Sequence, residues 1–290
     1  MTILPNSPQE RPSTYVVQDR SNQEEMQRLH LQNQLITAAL GGVLPEQADP
    51  TRFHCVLDVA CGTGGWLIEL AKTVPTIPQL VGVDISRRML DAARAEAETQ
   101  QVHDRVTFHL MDALRLFDFP EDLFDLANLR FAVSFLRTWE WSRVLHELQR
   151  VTQPGGIIRL TEADLPDQST SPALLRLSHL LAHAYSQAGK YFRPQAIGVA
   201  SELAGLLEQQ GLQQVQTRVY RPEVRGGTVE GQLFSEDMSY LFRTNMPFLR
   251  KWIRLPDDYE QLYQQMQAEM QQPDFVVTNQ TITAWGSKPL

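Results

Sequence analysis

The sequence predicts an α/β fold built on a doubly wound, mostly parallel sheet. Predicted strands and helices alternate between about residues 54 and 163, which favours parallel pairing. The first predicted strand, 54–60, is almost entirely apolar, as is typical of a strand covered on both faces. A glycine-rich turn then leads into a helix. The chain has 290 residues, of which 42% are hydrophobic, enough to build a core of this size.

The chain before the first strand is predicted to contain a tail and one helix, together forming an N-terminal part over residues 1–45. Residues 1–12 are polar and proline-rich, and we expect them to be disordered. A helix is expected over 21–40, because Ser21 can cap it and apolar residues recur at helical spacing. Gly41-Gly42 ends this helix.

The central part, residues 46–165, is predicted to hold the cofactor-binding core. Apolar runs bounded by turn residues predict strands at 54–60, 79–85, 106–111, 123–129 and 157–163. Amphipathic spacing predicts helices at 64–73, 86–101 and about 139–152. Pro154-Gly155-Gly156 predicts a turn before the last of these strands.

After residue 165 the apolar spacing becomes mostly helical. Helices are expected at 172–187 and about 194–210, and strands at 213–220 and 275–285. A mostly helical stretch, roughly 231–272, lies between these two strands. We therefore treat 166–290 as the C-terminal part of the chain.

Composition and charge limit the classes of partner. The formal net charge of −8 argues against nucleic acid as a partner. No apolar stretch is long enough to span a membrane, and residues 1–18 lack the apolar core of a secretory signal. We expect a cytoplasmic protein. The sequence leaves the oligomeric state open, with a homodimer as one possibility.

The turn after the first strand carries the strongest functional signal. Asp58 ends the apolar run, and Gly62 and Gly64 follow, so the backbone can turn sharply and a ligand can approach it closely. A dinucleotide-binding turn would have glycine or alanine where this chain has Leu67. Asp58 would repel a pyrophosphate but attract a cation. S-adenosylmethionine, which carries a sulfonium and an ammonium, therefore fits better than NAD.

Acidic residues also follow the next two strands. Asp84 lies about 20 residues beyond the loop, where a carboxylate can bind ribose hydroxyls. Asp112 follows the third strand and could accept from the adenine amine, while Ile85 and Met89 could form apolar walls for the ring. Ala60 and Ala113, beside these acids, are predicted to belong to the same cofactor site.

The fourth strand ends in Asn128 and Arg130. In an open parallel sheet the ligand lies beyond the carboxyl ends of the strands, so we predict that both side chains face the methyl-transfer zone or the methionine end of the cofactor. Asp125, near the start of the strand, is expected to be structural.

These segments together resemble the class I S-adenosylmethionine-dependent methyltransferases over about residues 54–165. Arg150-Val151-Thr152-Gln153-Pro154-Gly155-Gly156 is similar to the L-K-P-G-G turn that precedes the fifth strand of that family. The resemblance implies a Rossmann-like, seven-stranded sheet whose last strand is antiparallel. Strands 213–220 and 275–285 would then be the final pair, and 231–272 an inserted helical cap over the substrate.

The N-terminal part resembles that of bacterial small-molecule methyltransferases and of related fungal enzymes of secondary metabolism. In such proteins this segment commonly folds over the cofactor as a lid. The resemblance implies that Tyr15 and Gln32 line the cofactor site.

Methyl transfer needs alignment and exclusion of water, and a base only where the acceptor is protonated. The candidate catalytic residues are Glu162, after the fifth strand, and His183 and Tyr185 on the following helix. His179 and His183 share a helix face, but without an H-E-x-x-H signature we predict no metal site.

The leading hypothesis is transfer of a methyl group to O, N or C of a small molecule by in-line displacement. A non-catalytic regulator of secondary metabolism that binds the same cofactor is an alternative. Leu67 and Asp58 argue against a third, an NAD(P)-dependent oxidoreductase.

Overall fold

A computed structural model describes residues 15–17 and 23–290 of the chain. The expected disorder of residues 1–12 and the capping role of Ser21 lie outside the described residues. The α-helices of the described part are α1 (Gln23–Leu40), α2 (Gly65–Thr73), α3 (Arg87–Thr99), α4 (Trp141–Val151), α5 (Pro172–Gln187), α6 (Leu203–Gln209), α7 (Val229–Thr244), α8 (Met246–Trp252) and α9 (Tyr259–Met270). None of these helices combines the length and the apolar composition needed to cross a bilayer.

Ten strands form two sheets in the described residues. The strands are β1 (Cys55–Val59), β2 (Gln79–Asp84), β3 (Val106–Leu110), β4 (Phe124–Arg130), β5 (Thr152–Ala163), β6 (Gln168–Ser169), β7 (Gln213–Tyr220), β8 (Glu223–Arg225), β9 (Val276–Thr278) and β10 (Thr281–Ser287). The large sheet has the order β3-β2-β1-β4-β5-β10-β7, and the small one has the order β6-β9-β8.

The large sheet confirms the predicted fold class. Strands β1 to β5 pair in parallel, and β10 runs antiparallel between β5 and β7. The order reverses between β1 and β4, which leaves a crevice beyond their carboxyl ends. The last strand of the chain is thus the antiparallel one, as the resemblance implied.

The first strand shows why the sheet is buried on both faces. All five residues of β1 are buried. Because successive side chains point to opposite faces, Cys55, Leu57 and Val59 join one apolar cluster, whereas Val56 joins the other. Asp58 lies on the same face as Val56 but close to the strand end, where the core gives way to a cavity.

The predicted Pro154-Gly155-Gly156 turn is wrong as a boundary, because these residues lie inside β5. The pairing of β4 with β5 shifts between Phe124 and Leu126, so the segment forms a bulge. The Gly155 N–H donates to the Lys288 carbonyl and the Lys288 N–H donates to Gly156, which holds the bulge in the sheet.

The predicted helix over 194–210 is wrong in its first part, since a 3-10 turn begins only at Ala200 and α6 at Leu203. Asp164 accounts for the late start: it accepts a hydrogen bond from the Ala200 N–H at 3.1 Å, and Gly198 packs directly against its side chain. The predicted strand 275–285 is in fact two strands in different sheets, β9 and β10. The break includes Gln280, whose carbonyl accepts from the Asp164 N–H and whose side chain donates to the Asp164 carboxylate.

The predicted helical stretch 231–272 contains α7, α8 and α9. Helix α7 packs along α1, while α9 packs against α5. The small sheet, which the sequence analysis did not predict, joins the segment after β5 to those on either side of the helices. The helical segment therefore covers the crevice at the ends of β1 and β4.

Candidate functional site

A cavity of about 490 Å³ lies beyond the carboxyl ends of β1, β2, β4 and β5. Its strand-end side is formed by the loops after these strands, and its cap side is formed by the end of β5 together with α5 and α7. Helix α1 contributes residues to both sides. The lining includes the predicted residues Tyr15, Gln32, Asp58, Ala60, Gly62, Asp84, Ile85, Met89, Asp112, Ala113, Arg130, Glu162 and Tyr185.

The glycine loop adopts a conformation that requires glycine. Gly62 has φ of 53° and Gly64 has φ of 73°, both in the left-handed region. Gly64 caps α2 and packs against Phe108, so a Cβ there would clash with the ring at 2.7 Å. The structure does not place Gly64 in the cavity lining. Gly64 allows the loop to turn, and this turn brings Gly62 to the cavity.

Asp84 ties this loop to the second strand. The Gly62 N–H donates to Asp84 Oδ2 at 2.9 Å, and the Ser86 N–H donates to Oδ1 at 2.8 Å. Ser86 in turn caps α3 by accepting from the Met89 N–H. Both carboxylate oxygens are thus held in place at a residue that lines the cavity.

Asp112 is held in a similar way at the end of the third strand. Its Oδ1 accepts from the Leu114 N–H at 2.9 Å, and Arg115 lies 3.5 Å from Oδ2. Ile85 and Met89 line the cavity together with this acid. The arrangement offers a carboxylate and an apolar wall at the same end of the cavity.

Asp58 is supported from behind by a buried polar row that crosses three strands. Asn128 Nδ2 donates to Asp58 Oδ1 at 2.7 Å, and Arg159 Nη1 donates to Asn128 Oδ1 at 2.9 Å. Arg159 also pairs with Glu46 at 2.7 Å, where both side chains are fully buried. The structure places Asn128 in this row and outside the cavity lining, so it reaches a ligand only through Asp58.

Burial sets the electrostatics of the strand-end side. It raises the pKa of Asp58 to about 6, against the opposing effects of Arg130 and Asn128. It also lowers the pKa of Arg130 to about 10. Arg130 Nη2 donates to Asn33 of α1 at 2.9 Å, which links this end of β4 to α1.

The sequence analysis missed a buried ionic cluster between α1 and α7. Arg28 bonds both carboxylate oxygens of Glu25, at 2.7 and 2.9 Å, and lies 3.5 Å from Asp237 Oδ1. Tyr15 donates to Glu25 at 2.5 Å, and Thr244 of α7 donates to the same carboxylate at 3.1 Å. The i, i+3 spacing of Glu25 and Arg28 was visible in the sequence, but such pairs are usually solvated. Only the packing of α7 buries this one.

Glu162 lies at the end of β5, on the cap side of the cavity. It is 1% exposed, and its Oε1 accepts from the Val133 N–H at 3.2 Å. Its Oε2 has no hydrogen-bond partner among the residues that the structure describes. Burial raises the pKa of this carboxyl to about 8. At neutral pH the free protein therefore keeps Glu162 mostly protonated.

The structure brings one of the two other catalytic candidates to the cavity and not the other. Tyr185 lines the cavity, and burial raises the pKa of its hydroxyl. His183 is exposed on the opposite face of α5 and lies 3.2 Å from Gln187, so the structure does not bring it to the cavity. In the described ranges, no group of three or more His, Cys, Asp or Glu side chains has the geometry to hold a metal ion.

Comparisons with known proteins agree with this geometry. A family model described as a methyltransferase domain matches residues 56–156. The demethylmenaquinone methyltransferase of Lactiplantibacillus plantarum is 33% identical over 171 residues, which cover 55% of this chain and 70% of that protein. The chain belongs to the class I S-adenosylmethionine-dependent methyltransferases.

Other relatives of this methyltransferase are matched over a smaller share. The chain spans 47% and 59% of two further demethylmenaquinone methyltransferases, from Porphyromonas gingivalis and Deinococcus radiodurans. The methyltransferase GfsG of Streptomyces halstedii is 35% identical, over 44% of this chain and 43% of that protein. The chain thus spans about half the length of these three relatives.

Solved structures show the same fold. A Bacillus halodurans protein described as a putative methyltransferase matches with a TM-score of 0.55 at 17% identity, over 87% of this methyltransferase and all of that chain. Phosphoethanolamine N-methyltransferase 2 of Haemonchus contortus, solved with S-adenosyl-L-methionine, matches with a TM-score of 0.53 at 18% identity, over 87% of this chain and 52% of that one.

Proposed function

We propose that this protein transfers the methyl group of S-adenosylmethionine to a small-molecule acceptor. The observation that carries the proposal is that Asp58, Asp84 and Asp112, which lie at or near the carboxyl ends of three strands of one sheet, line a single cavity beside a glycine loop. Three carboxylates around a glycine loop suit a ligand with hydroxyl and amine donors and positive charge. They do not suit the pyrophosphate of a dinucleotide.

The residues present fit this cofactor. Asp84 is fixed by two backbone N–H groups and lines the cavity, where a carboxylate suits ribose hydroxyls as an acceptor. Asp112, with Ile85 and Met89, suits the adenine. Asp58, buried and held by Asn128, suits a cationic group because a cation would favour its ionised form.

When bound, S-adenosylmethionine supplies a methyl group on a positively charged sulfur, so that an acceptor can displace a neutral thioether. The chain's own part is to align the acceptor and to exclude water. Helix α1 covers the cavity from the lid side, fixed by the hydrogen bond from Arg130 to Asn33. On the cap side, α5 and α7 supply an apolar wall that includes Leu181, Phe234 and Met238.

The names of the relatives cover more than one class of acceptor. They mention demethylmenaquinone and phosphoethanolamine, and the match to the phosphoethanolamine N-methyltransferase, at 18% identity, shows the fold alone. From the relatives we therefore propose only the reaction class. The residues on the cap side of the cavity determine which acceptor can bind.

Calorimetry with S-adenosylhomocysteine, the demethylated product, tests the cofactor. We expect one site per chain and no binding of NAD. Asp84→Ala should weaken binding by at least about tenfold, because charge-assisted hydrogen bonds contribute about 1.5–3 kcal/mol each. Asp118→Asn is the matched control, since Asp118 is exposed and outside the lining. Absence of S-adenosylhomocysteine binding, or equal effects of the two variants, would contradict the proposal.

Turnover separates an enzyme from a regulator that only binds the cofactor. Methyl transfer from labelled S-adenosylmethionine should be followed against acceptors that include a demethylated menaquinol and phosphoethanolamine. We expect transfer to at least one small molecule, with Asp84→Ala inactive at low cofactor concentration.

A further inference from the structure

The cap side of the cavity carries hydrogen-bond acceptors that nothing in the described part of the chain satisfies. Glu162 Oε2, Asp237 Oδ1 and Asn245 Oδ1 are buried without a hydrogen-bond partner, and all three residues line the cavity. Buried polar atoms in folded proteins nearly always have a partner. These three oxygens without a hydrogen bond, of which Asp237 Oδ1 lies 3.5 Å from Arg28, belong to residues around one cavity and therefore favour a ligand that brings hydrogen-bond donors.

The charge on this side points in the same direction. Glu162 and Asp237 are both acids, and the arginine of this side, Arg28, already bonds Glu25 at 2.7 Å. Asp237 Oδ1 has Arg28 only at 3.5 Å. Arg28 is thus shared between Glu25 and Asp237, and the cation that acts on Glu162 is the buried Lys190. A carboxylate or phosphate on the ligand would bring a further negative charge beside Asp237 and would hold Glu162 in its protonated form. A cation would be attracted.

The walls of the cap side suit an aromatic or apolar body. The Tyr185 ring stacks on Tyr191 with centroids 5.5 Å apart and an interplanar angle of 24°. Phe248, which lies outside the cavity lining, packs on Tyr185 with ring centroids 5.4 Å apart. Aromatic faces attract organic cations as well as apolar groups. The side chains thus combine apolar area with a small number of acceptor oxygens.

We propose that the cap side binds a methyl acceptor that carries a protonated amine on an apolar or aromatic body, with Glu162 and Asp237 supplying the negative charge. The inference rests on the proposed function, because it identifies the ligand of the cap side with the methyl acceptor of that reaction. Burial raises the pKa of Glu162 to about 8 and that of Asp237 to about 6. An ammonium beside either carboxyl would return it to its ionised form.

Three probes that share a phenol ring test the charge of the ligand. Tyramine carries an ammonium, tyrosol carries a hydroxyl in its place, and 4-hydroxyphenylacetate carries a carboxylate. Each is titrated by calorimetry into the free protein and into the protein saturated with S-adenosylhomocysteine. We expect tyramine to bind to the complex at least about tenfold more tightly than either of the others, because only its ammonium can form a charge-assisted hydrogen bond to a buried carboxyl group. Equal or tighter binding of tyrosol or of 4-hydroxyphenylacetate overturns the inference.

Variants of the two cavity acids, with a matched control, test whether these residues supply the negative charge that binds the ligand. Asp237→Asn and Glu162→Gln should each weaken tyramine binding by about tenfold or more while leaving tyrosol binding within about twofold. Glu236→Gln, which removes an exposed acid next to Asp237 on the same helix, should change neither. If both cavity variants behave like Glu236→Gln, the inference is wrong.

The outcome is separable from that of the proposed function. If S-adenosylhomocysteine does not bind, the proposed cofactor is wrong. The preference for tyramine can still be measured on the free protein in that case. Binding of S-adenosylhomocysteine without any preference for tyramine contradicts only the proposal that the acceptor is positively charged.

Discussion

At the residue scale, the carboxyl of Asp58 shows how the core prepares a functional group. Asp58, Asn128 and Arg159 occupy neighbouring positions on β1, β4 and β5, so that their side chains share one face of the sheet. The hydrogen bonds between them occupy one carboxylate oxygen and fix its direction. A buried network of this kind rigidifies a site only while every member is satisfied.

Replacing the middle member of this row should affect both stability and binding. Asn128→Ala leaves Asp58 and Arg159 each without one buried partner, which is expected to cost about 1–3 kcal/mol for each group left unpaired. Urea unfolding measures the free energy, and calorimetry measures binding of S-adenosylhomocysteine, which should weaken because Asp58 loses its support. A stable variant with unchanged binding would show that the row has no such role.

The raised pKa of Glu162 predicts a pH dependence of stability. Between its ordinary value of 4.5 and about 8, the folded protein holds a proton that the unfolded chain has lost. The folded state binds more protons in this window, so Glu162 lowers the free energy of unfolding as the pH rises, by up to about 1.4 kcal/mol per pH unit.

The Glu162→Gln variant removes this effect. It should match the wild type near pH 4.5 and become progressively more stable than the wild type as the pH approaches 8. Denaturant unfolding across this range provides the measurement, and parallel curves for the two proteins would refute the assigned cause.

At the scale of elements, the lid helix α1 is joined to α7 of the cap by two ion pairs of different kinds. The pair of Arg28 with Asp237 is buried, and it is tied to Glu25. The pair of Arg243 with Glu24, 2.9 Å apart, is about half exposed. Since the same two helices carry both, they form a matched comparison of buried and surface electrostatics.

Removing the two arginines should therefore have unequal effects. Arg28→Met leaves Glu25 and Asp237 buried without a countercharge and should cost about 3–5 kcal/mol of stability. Arg243→Met removes an exposed partner and should cost no more than about 1 kcal/mol. Thermal and urea unfolding of both variants provide the measurement; similar costs would mean that the buried cluster does not join the lid to the cap.

At the scale of the whole molecule, the cavity lies where three parts of the chain meet. The sheet supplies the strand ends, α1 covers them, and the helices between β8 and β9 close the other side. The chain reaches this arrangement because β7 and β10, which precede and follow these helices in the sequence, both lie in the large sheet. The reaction site is thus an interface between core and cap rather than a feature of either.

Much of the core was predictable because its signals are local. The apolar run of β1 and the glycines at Gly62 and Gly64 specify their own backbone from neighbouring residues. The acids after the strands follow from the rule that parallel strand ends share one edge. The outward position of His183 and the place of Asn128 behind Asp58 were not predictable in this way, since each depends on which face of its element meets another.

The sequence by itself determined the fold class, the glycine loop and the acids of the strand-end side, because each depends on period, spacing and strand order. The tertiary structure alone decided the cap side. The burial of Glu25, Arg28 and Asp237, the unpaired oxygen of Glu162 and the division of 275–285 between two sheets all arise from contacts between residues far apart in the chain. Burial is what turns such ordinary charged residues into a site, and burial is a property of the packed molecule.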